Sequence, residues 1–572
     1  MTSEGPDRED SLDSDGETWC LKGGSAGISH ATSTGVVSYK YENGGYNRHE
    51  EYVAGVDIDP QSVIMIPVAL VLLLPVVVFA WRWRKIGHRE RFLPPGPPTR
   101  FLLGNAPDIP RALPFVQLSR WAAEYGELVS LKILNQTMIV VNSGPAVKEI
   151  MDKQGVFSGN RPQAYLVKRA EGEYPIFSNL DERIFKGSRR AYHTFLTSEA
   201  IASYLPMQQV EYARLMYDIA SSPENFIPHI KRMSTSIMVT LLYGKPVSDF
   251  GDNKHLLYFD AVKKFTELTD PWAHPPLDII PVLKHVPARW ARWKGLCEEV
   301  KRLRGAFFDD ITEDFEARYR AGERTGSFLE KVLDHPNHFD MTIEEIRGMS
   351  RLLMDGGVET SASYIQNFIL ALACHPACQD KAQAEIDRVI GGERIPTLED
   401  FDDLPYLRAL IKEVHRFRPV LPGAVPHMAA RDIRYKEHLI PEGAIIVMNT
   451  WGIFHDAEVF ENPDTFDPER YIKSEYGVKD GASPDGLRDT LPFGAGRRIC
   501  PGAEMGQRTI AINTMNLLWA FKFTDKTGKC SMDLENYHPS VELSPNAFSC
   551  DIKVRDAKRA KLIEETYMYM TA

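Results

Sequence analysis

The alternation of hydrophobic and polar positions divides the chain into stretches of different kinds. Residues 1–62 are rich in Gly, Ser, Asp and Glu and repeat apolar positions at neither 2 nor 3.6 residues, which predicts a disordered extension. Val63–Trp81, "VIMIPVALVLLLPVVVFAW", follows without a charge, and its nineteen residues would span roughly 28 Å as a helix, enough to cross a bilayer. Pro67 and Pro75 are tolerated in such a helix because neighbouring groups re-satisfy the backbone. "RWRKIGHRER" then supplies a cationic flank with tryptophan anchors, so the N-terminus is expected in the lumen and the rest of the chain in the cytosol. Residues 82–109 form a basic and proline-rich connector, whose "LPPGPPTRFLLGN" cannot be helical and reads as a stiff, extended spacer.

From 110 to 560 helical periodicity dominates. Its longest run, "MTIEEIRGMSRLLMDGGVETSASYIQNFILALACHP", opens with a capping box from Thr342 to Glu345 and ends at Pro376, about 48 Å at the standard rise. "LVSLKILNQTMIVVNS", residues 128–143, reads as a strand pair around an Asn-Gln turn. Further strand-rich stretches run over 431–449 and 540–555, and no internal repeat or linker interrupts the region. The prediction is a mainly α fold with minor β: one large domain over 110–560 and a tail at 561–572, preceded by one transmembrane helix.

Composition narrows the chemistry only slightly. A hydrophobic fraction of 43% supplies a large core, and a net charge of -11 without a basic run beyond the membrane flank argues against nucleic acid as partner. The seven cysteines are scattered, with no CxxC pair and no zinc-site spacing, which fits a reducing compartment. Cys374 and Cys378, one helical turn apart, read as small buried hydrophobes.

The chemistry concentrates in "FGAGRRICPG", residues 493–502. Gly494, Gly496 and Gly502 permit a tight turn and close approach of the backbone to a flat ligand, and a helix is predicted from Pro501. Cys500 would then lie at a helix N-terminus beside Arg497 and Arg498, where amides and positive charge favour thiolate. Such a sulfur can be a nucleophile or a metal ligand, but no base or catalytic partner accompanies it in the motif. Elsewhere, "KEVHR" puts Glu413 and Arg416 at i and i+3 on one helix face, and "FDPERY" supplies Arg470. In the middle of the longest helix stands "GGVETS", two adjacent glycines costing about 2 kcal/mol relative to alanines. That cost suggests a local opening of the helix.

Phe493-x-x-Gly496-x-Arg498-x-Cys500-x-Gly502 resembles the haem-binding signature of the cytochrome P-450 monooxygenases, and the match to the family covers roughly Leu93 to Val554. The resemblance implies the cytochrome P-450 fold, haem b with Cys500 as axial iron ligand, and a cofactor cradle of Phe493, Gly494, Gly496, Gly502 and Arg498, the last a propionate partner. It implies that Glu413, Arg416 and Arg470 form a buried structural triad, and that Thr360 and Glu359 are catalytic, the hydroxyl bonding the oxygen being activated and the carboxyl supplying protons. Arg189 and His427 fall where the family binds propionates, although Phe185 replaces the usual tryptophan of that helix.

By the same resemblance, electrons come from NADPH through a flavin-containing NADPH-cytochrome reductase in the endoplasmic reticulum membrane, drawn to a basic face at Lys186, Arg189, Arg190 and Arg508. The substrate is expected to be a small, mostly apolar or aromatic molecule bound among residues 161–177, 420–426 and 540–548, as in fungal secondary metabolism. A haem-thiolate isomerase or dehydratase acting on a peroxide, and a non-catalytic haem-binding protein, are the alternatives.

Overall fold

The computed structural model describes the three strands between residues 27 and 51, and residues 85–571 apart from 252, 271, 272 and 540. It separates into two compact units, Met1–Trp83 and Arg84–Ala572. In the first, β1 (Gly27–Thr32), β2 (Gly35–Glu42) and β3 (Gly45–Glu51) pair as an antiparallel meander. These strands depart from the disordered extension expected over 1–62, the rest of which lies outside the described residues. The sequence does carry the signal: Val37, Tyr39 and Tyr41 alternate, and Asn43-Gly44, a dipeptide favoured in two-residue hairpins, separates β2 from β3. The predicted membrane-spanning segment 63–81 lies outside the described residues. Among the described residues no helix is long and apolar enough to cross a membrane.

The second unit is mainly helical. Its principal helices are α1 (Pro114–Tyr125), α2 (Tyr165–Glu171), α3 (Arg183–Phe195), α4 (Leu205–Ser221), α5 (Phe226–Tyr243) and α6 (Lys254–Thr269). They continue with α7 (Arg292–Arg320), α8 (Ile343–Cys374), α9 (Pro376–Val389), α10 (Pro405–Phe417), α11 (Ala503–Ala520) and α12 (Ala557–Thr571). α8 is the axis of the unit. Its predicted capping box is present: Glu345 N–H donates to Thr342 Oγ1 at 3.3 Å while Thr342 N–H donates to the Glu345 carboxylate at 2.7 Å. Every residue from Ala362 to Ala373 is buried, so this half of α8 is enclosed on all sides. Its polar side chains are therefore bonded inward: Tyr364 Oη donates to the Ile411 carbonyl at 3.0 Å and Asn367 Nδ2 to the Leu543 carbonyl at 3.2 Å.

A small sheet forms a second core beside the helices. β4 (Leu128–Ile133) and β5 (Gln136–Val141) make the expected hairpin, β9 (Ile445–Met448) runs parallel to β5, and β6 (His427–Met428) pairs antiparallel with β9. β7 (Ile433–Tyr435) and β8 (His438–Ile440) form a separate hairpin. β10 (Phe521–Thr524) pairs with β11 (Asp551–Val554), so of the strand-rich stretch expected over 540–555 only the last residues are strand.

Two boundaries shift. The proline-rich segment is stitched onto β4 rather than standing off as a spacer: Ser130 Oγ donates to the Pro94 carbonyl at 2.5 Å and Ser130 N–H to Pro95 at 2.9 Å. Arg89 Nη1 reaches the Gly96 carbonyl at 2.7 Å and Asn105 Nδ2 the Pro98 carbonyl at 2.9 Å. These carbonyls, which no proline N–H can pair within the segment, find donors on the sheet and flanking turns. At the other end, the tail expected at 561–572 is the body of α12. Its Ile563 is buried, and Tyr567 stacks on Tyr217 of α4 with ring centroids 4.3 Å apart.

Candidate functional site: the cysteine loop and the central helix

The cysteine loop is held from several sides. Gly494 and Gly496 take φ of +93° and +59°, the left-handed region, and a Cβ on Gly496 would lie 1.9 Å from the Met151 carbonyl oxygen. That contact lets the loop close on residues 148–153, where Gly496 N–H donates to Asp152 Oδ1 at 2.8 Å. Cys500 N–H returns to the Phe493 carbonyl at 2.9 Å, making the loop a closed turn. The Phe493 ring meets His415 at 5.7 Å, and His415 packs on Tyr364 of α8 at 4.4 Å, a row of rings joining the loop to the central helix through α10. α11 starts at Ala503, just after the predicted Pro501.

Cys500 is reached by solvent yet surrounded by protein atoms, as for a group on the wall of a concavity. Burial pushes its thiol up, with the Gly502 amide and the Arg189 guanidinium pulling the other way. Arg497 and Arg498, expected to favour thiolate, are not among the groups that pull it down. Arg498 is turned elsewhere, its Nε donating to the Gly159 carbonyl at 2.7 Å and Nη2 to the Ser178 carbonyl.

Arg498, half-buried, belongs to a group of bases with the buried Arg161 and His427. Arg161 Nη1 donates to the carbonyls of Val425 and Pro426 at 2.6 and 2.7 Å, and its Nε has no hydrogen-bond partner. His427 Nδ1 is 2.8 Å from the Ser158 carbonyl oxygen. The groups act on one another: burial first, then Arg498 and Arg189, lower Arg161; burial and Arg161 hold His427 well below the usual imidazole range; burial and Arg189 bring Arg498 down to about 10, with Glu182 opposing. The side-chain hydrogen bonds of Arg161 and Arg498 go to carbonyls, with no carboxylate among them in the described residues. Buried cations short of counter-charge are costly, and Glu182 is the one carboxylate acting on Arg498, so the cluster calls for an anionic ligand. The two propionates of a haem seated on Cys500 have that chemistry.

Arg161 is the member that sequence reading missed, because a lone Arg-Pro carries no pattern. Arg189, expected at a propionate, instead donates through Nη2 to the carbonyls of Arg497 and Ile499 at 2.8 and 3.1 Å and so clamps the cysteine loop. Phe185, in place of the tryptophan, lies under the Arg498 guanidinium at 4.1 Å.

By contrast, Glu413, Arg416 and Arg470 form a closed set. Arg416 donates from Nε and Nη2 to the two Glu413 oxygens at 2.8 Å each, and Arg470 Nε reaches Glu413 Oε2 at 3.2 Å. The guanidiniums also take the carbonyls of Phe454, Pro463, Thr465 and Glu461, so the segment between α10 and the cysteine loop folds around them.

On α8 the helix does not open at Gly356-Gly357; it is α-helical throughout Ile343–Cys374. Gly357 is needed for packing, since a Cβ there would lie 2.5 Å from Met238 Sδ on α5, whereas Gly356 is exposed with no atom within 4 Å of such a Cβ. Thr360 Oγ1 donates to the Gly356 carbonyl at 2.6 Å, which loosens the ladder at one carbonyl without breaking it. Burial and the neighbouring Asp355 raise the Glu359 carboxyl to about 7, opposed by Lys231. Asp355 itself, one turn before Glu359, accepts from Tyr174 and from Tyr258 at 3.0 Å and pairs with Arg304 at 3.0 Å. Arg304 also contacts Glu171 at 2.7 Å. The i, i+4 spacing of Asp355 and Glu359 was the available signal for this network, and nothing in the sequence points to Arg304 or Glu171.

The three segments expected to line the pocket are joined. Arg161 ties the first to Val425 and Pro426 of the second, and Leu543 N–H of the third donates to the Val420 carbonyl at 2.8 Å. Of the basic face, Arg508 is paired with Glu504 at 2.6 Å and Arg190 donates to the Phe339 carbonyl at 2.8 Å, leaving Lys186 exposed among partly engaged cations.

A family model described as cytochrome P450 matches residues 94–548. The chain is 38% identical over 502 residues to cytochrome P450 monooxygenase ple5B of Rhodocybe pseudopiperita, covering 86% of this chain and 95% of the relative. It is 36% identical over 446 residues to cytochrome P450 monooxygenase atE of Aspergillus terreus, covering 77% and 83%. It is also 33% identical over 486 residues to cytochrome P450 monooxygenase patI of Penicillium expansum, covering 84% and 92%.

Proposed function

The chain belongs to the cytochrome P450 family, whose cofactor is haem iron, and from that premise we propose that it inserts one oxygen atom of O2 into a small, mostly apolar or aromatic substrate of fungal secondary metabolism. The observation that carries the haem assignment is the group of bases, buried Arg161 and His427 with half-buried Arg498, bonded to carbonyls beside a loop that presents Cys500. Cys500 would hold the iron, and Arg161, Arg498 and His427 would meet the propionates. Bound through a cysteinyl sulfur, haem supplies oxygen activation, the thiolate favouring O–O cleavage.

The protein's own contribution is order and protons. Arg189 fixes two peptide units just before the sulfur, at Arg497 and Ile499, while the Phe493–His415–Tyr364 row fixes the loop against α8. Glu359 is poised to deliver a proton near neutral pH, because a carboxyl raised to about 7 still carries one there. As pH rises through that value the proton is lost, and delivery weakens. Thr360 holds its hydroxyl one turn above Gly356 and can receive that proton at Oγ1. The acidic group at Glu359 favours oxygen insertion over rearrangement of a peroxide, which needs no proton delivery to dioxygen.

Electrons are assigned to an NADPH-cytochrome reductase approaching the side of Lys186, Arg189, Arg190 and Arg508. Val63–Trp81 is assigned as a single-pass anchor in the endoplasmic reticulum membrane, with the N-terminus lumenal and the catalytic domain cytosolic. The test is a carbon monoxide difference spectrum of the reduced full-length protein, which should have the thiolate-type band and lose it in Cys500→Ser. A wild-type protein that purifies without haem, or a Cys500→Ser variant that keeps the band, would overturn the reading. NADPH-dependent consumption of O2 with added reductase separates an oxygenase from a silent haem binder.

A further inference from the structure

Four cysteines away from the haem loop lie against the main core: Cys374, Cys378, Cys530 and Cys550. Three of them converge at one end of the β10–β11 ribbon. β10 ends at Thr524, whose register partner is Asp551, and Cys550 immediately precedes Asp551 with its Sγ 3.9 Å from the Thr524 carbonyl oxygen. Beyond Thr524 the chain turns on Asp525. One oxygen of that carboxylate accepts from Thr527 N–H at 2.8 Å and Oγ1 at 2.7 Å, and the other accepts from Cys530 N–H at 2.7 Å. The turn thus brings Cys530 back to the end of the strand it has just left.

Cys374 arrives from the opposite side. It is the last residue of α8, and α9 directly after it grips β10: Gln379 Nε2 donates to the Phe523 carbonyl and Phe523 N–H donates to Gln379 Oε1, both at 2.8 Å. With both elements so fixed, the thiols of Cys374 and Cys530 hydrogen-bond to each other, and Cys550 is the next sulfur. All three are free thiols and partly accessible. Among the described residues no group of three His, Cys, Asp or Glu side chains is arranged to hold a metal.

We propose that Cys374 and Cys530 are a peroxide-oxidisable pair that closes a reversible disulfide between the end of α8 and the segment leading into residues 534–548. Cys530 is assigned as the attacking sulfur, an order that the two serine variants test. Cys530 thiolate attacks hydrogen peroxide, the O–O bond breaks, and sulfenic acid and hydroxide result, the hydroxide taking the proton that Cys530 had lost. Cys374 sulfur then displaces the sulfenic oxygen, which leaves as a second water carrying the Cys374 proton. Two thiols lose two electrons in total, and one peroxide becomes two waters. In a reducing compartment such a bond is transient, as redox-sensing disulfides are. It would fix, at a second point, a segment that α8 already holds through Asn367 and Leu543.

The test uses the full-length haem protein, treated with hydrogen peroxide, alkylated and mapped without reduction. The expected result is a linked pair of peptides containing Cys374 and Cys530, a loss of two alkylatable thiols per chain, and recovery of both with dithiothreitol. In Cys374→Ser, a sulfenic acid on Cys530 should be trapped by dimedone, and in Cys530→Ser Cys374 should remain a free thiol. The wild-type map alone decides the matter if either variant fails to accumulate. Unlinked, fully alkylatable Cys374 and Cys530 after peroxide, or a Cys530–Cys550 link with Cys374 free, would overturn the proposal.

Discussion

Two sets of buried guanidiniums in this protein differ in one respect. Around Glu413, two arginines share one carboxylate, and their remaining donors are met by carbonyls. Around Arg161 and Arg498 the carbonyls are present but no carboxylate is hydrogen-bonded to either guanidinium, and Arg498 and Arg189 both lower Arg161. The first set holds a fold together by itself. The second is complete only with something anionic between its members, which is how a structural ion cluster and a ligand site can be told apart without seeing the ligand.

The comparison can be broken most directly at its closed member. Glu413→Gln leaves two buried guanidiniums with one counter-charge removed, and should cost about 3–5 kcal/mol in urea unfolding, or abolish accumulation of folded protein. A variant as stable as the parent would mean that the triad is not the constraint it looks to be. Arg161→Met should behave differently. The haem-free protein loses two hydrogen bonds to carbonyls, about 1–2 kcal/mol, whereas haem retention falls about tenfold or more because a charge-assisted bond goes with it. Equal losses in the haem-free and haem-bound states would erase the distinction.

A smaller effect sharpens it. His427 in the fold is held well below its ordinary value of about 6.5 by burial, Arg161 and Arg498. The unfolded chain therefore takes up the proton first, and stability of the haem-free protein should decline as pH falls below about 6.5. His427→Gln should remove part of that slope, and haem should flatten it by supplying negative charge. Denaturation midpoints across pH 5–8 measure both. The smallest expected change is Phe185→Trp, which keeps the aromatic face under Arg498 and adds an N–H. A rise in haem retention of about twofold, worth roughly 0.5 kcal/mol, would be read in competition with apomyoglobin.

Much of this was legible beforehand because spacing encodes it. Thr342 and Glu345 announce the start of α8, Leu128 to Val141 alternate as a hairpin, and Phe493 to Gly502 hold the motif that marks the cofactor loop. The misses have a common cause, in that they depend on partners distant in sequence. Arg161 acquires meaning only from Val425, Pro426 and Arg498, and Arg304 only from Asp355 and Glu171. The paired glycines were misread for a related reason: what Gly357 accommodates is Met238 on another helix, not a break in its own. At residues 27–51 the alternation was visible but was outweighed by the polar composition around it.

The bond from Arg161 to the backbone at Val425 and Pro426 has a practical consequence for anyone wishing to alter which molecules this enzyme accepts. Saturation libraries aimed at residues 420–426 will disturb the cofactor seat along with selectivity, and many of their members will emerge pale rather than retuned. Val541, Asn546 and Ala547, in the third segment proposed for the pocket, make no hydrogen bond to that guanidinium and are the better place to start.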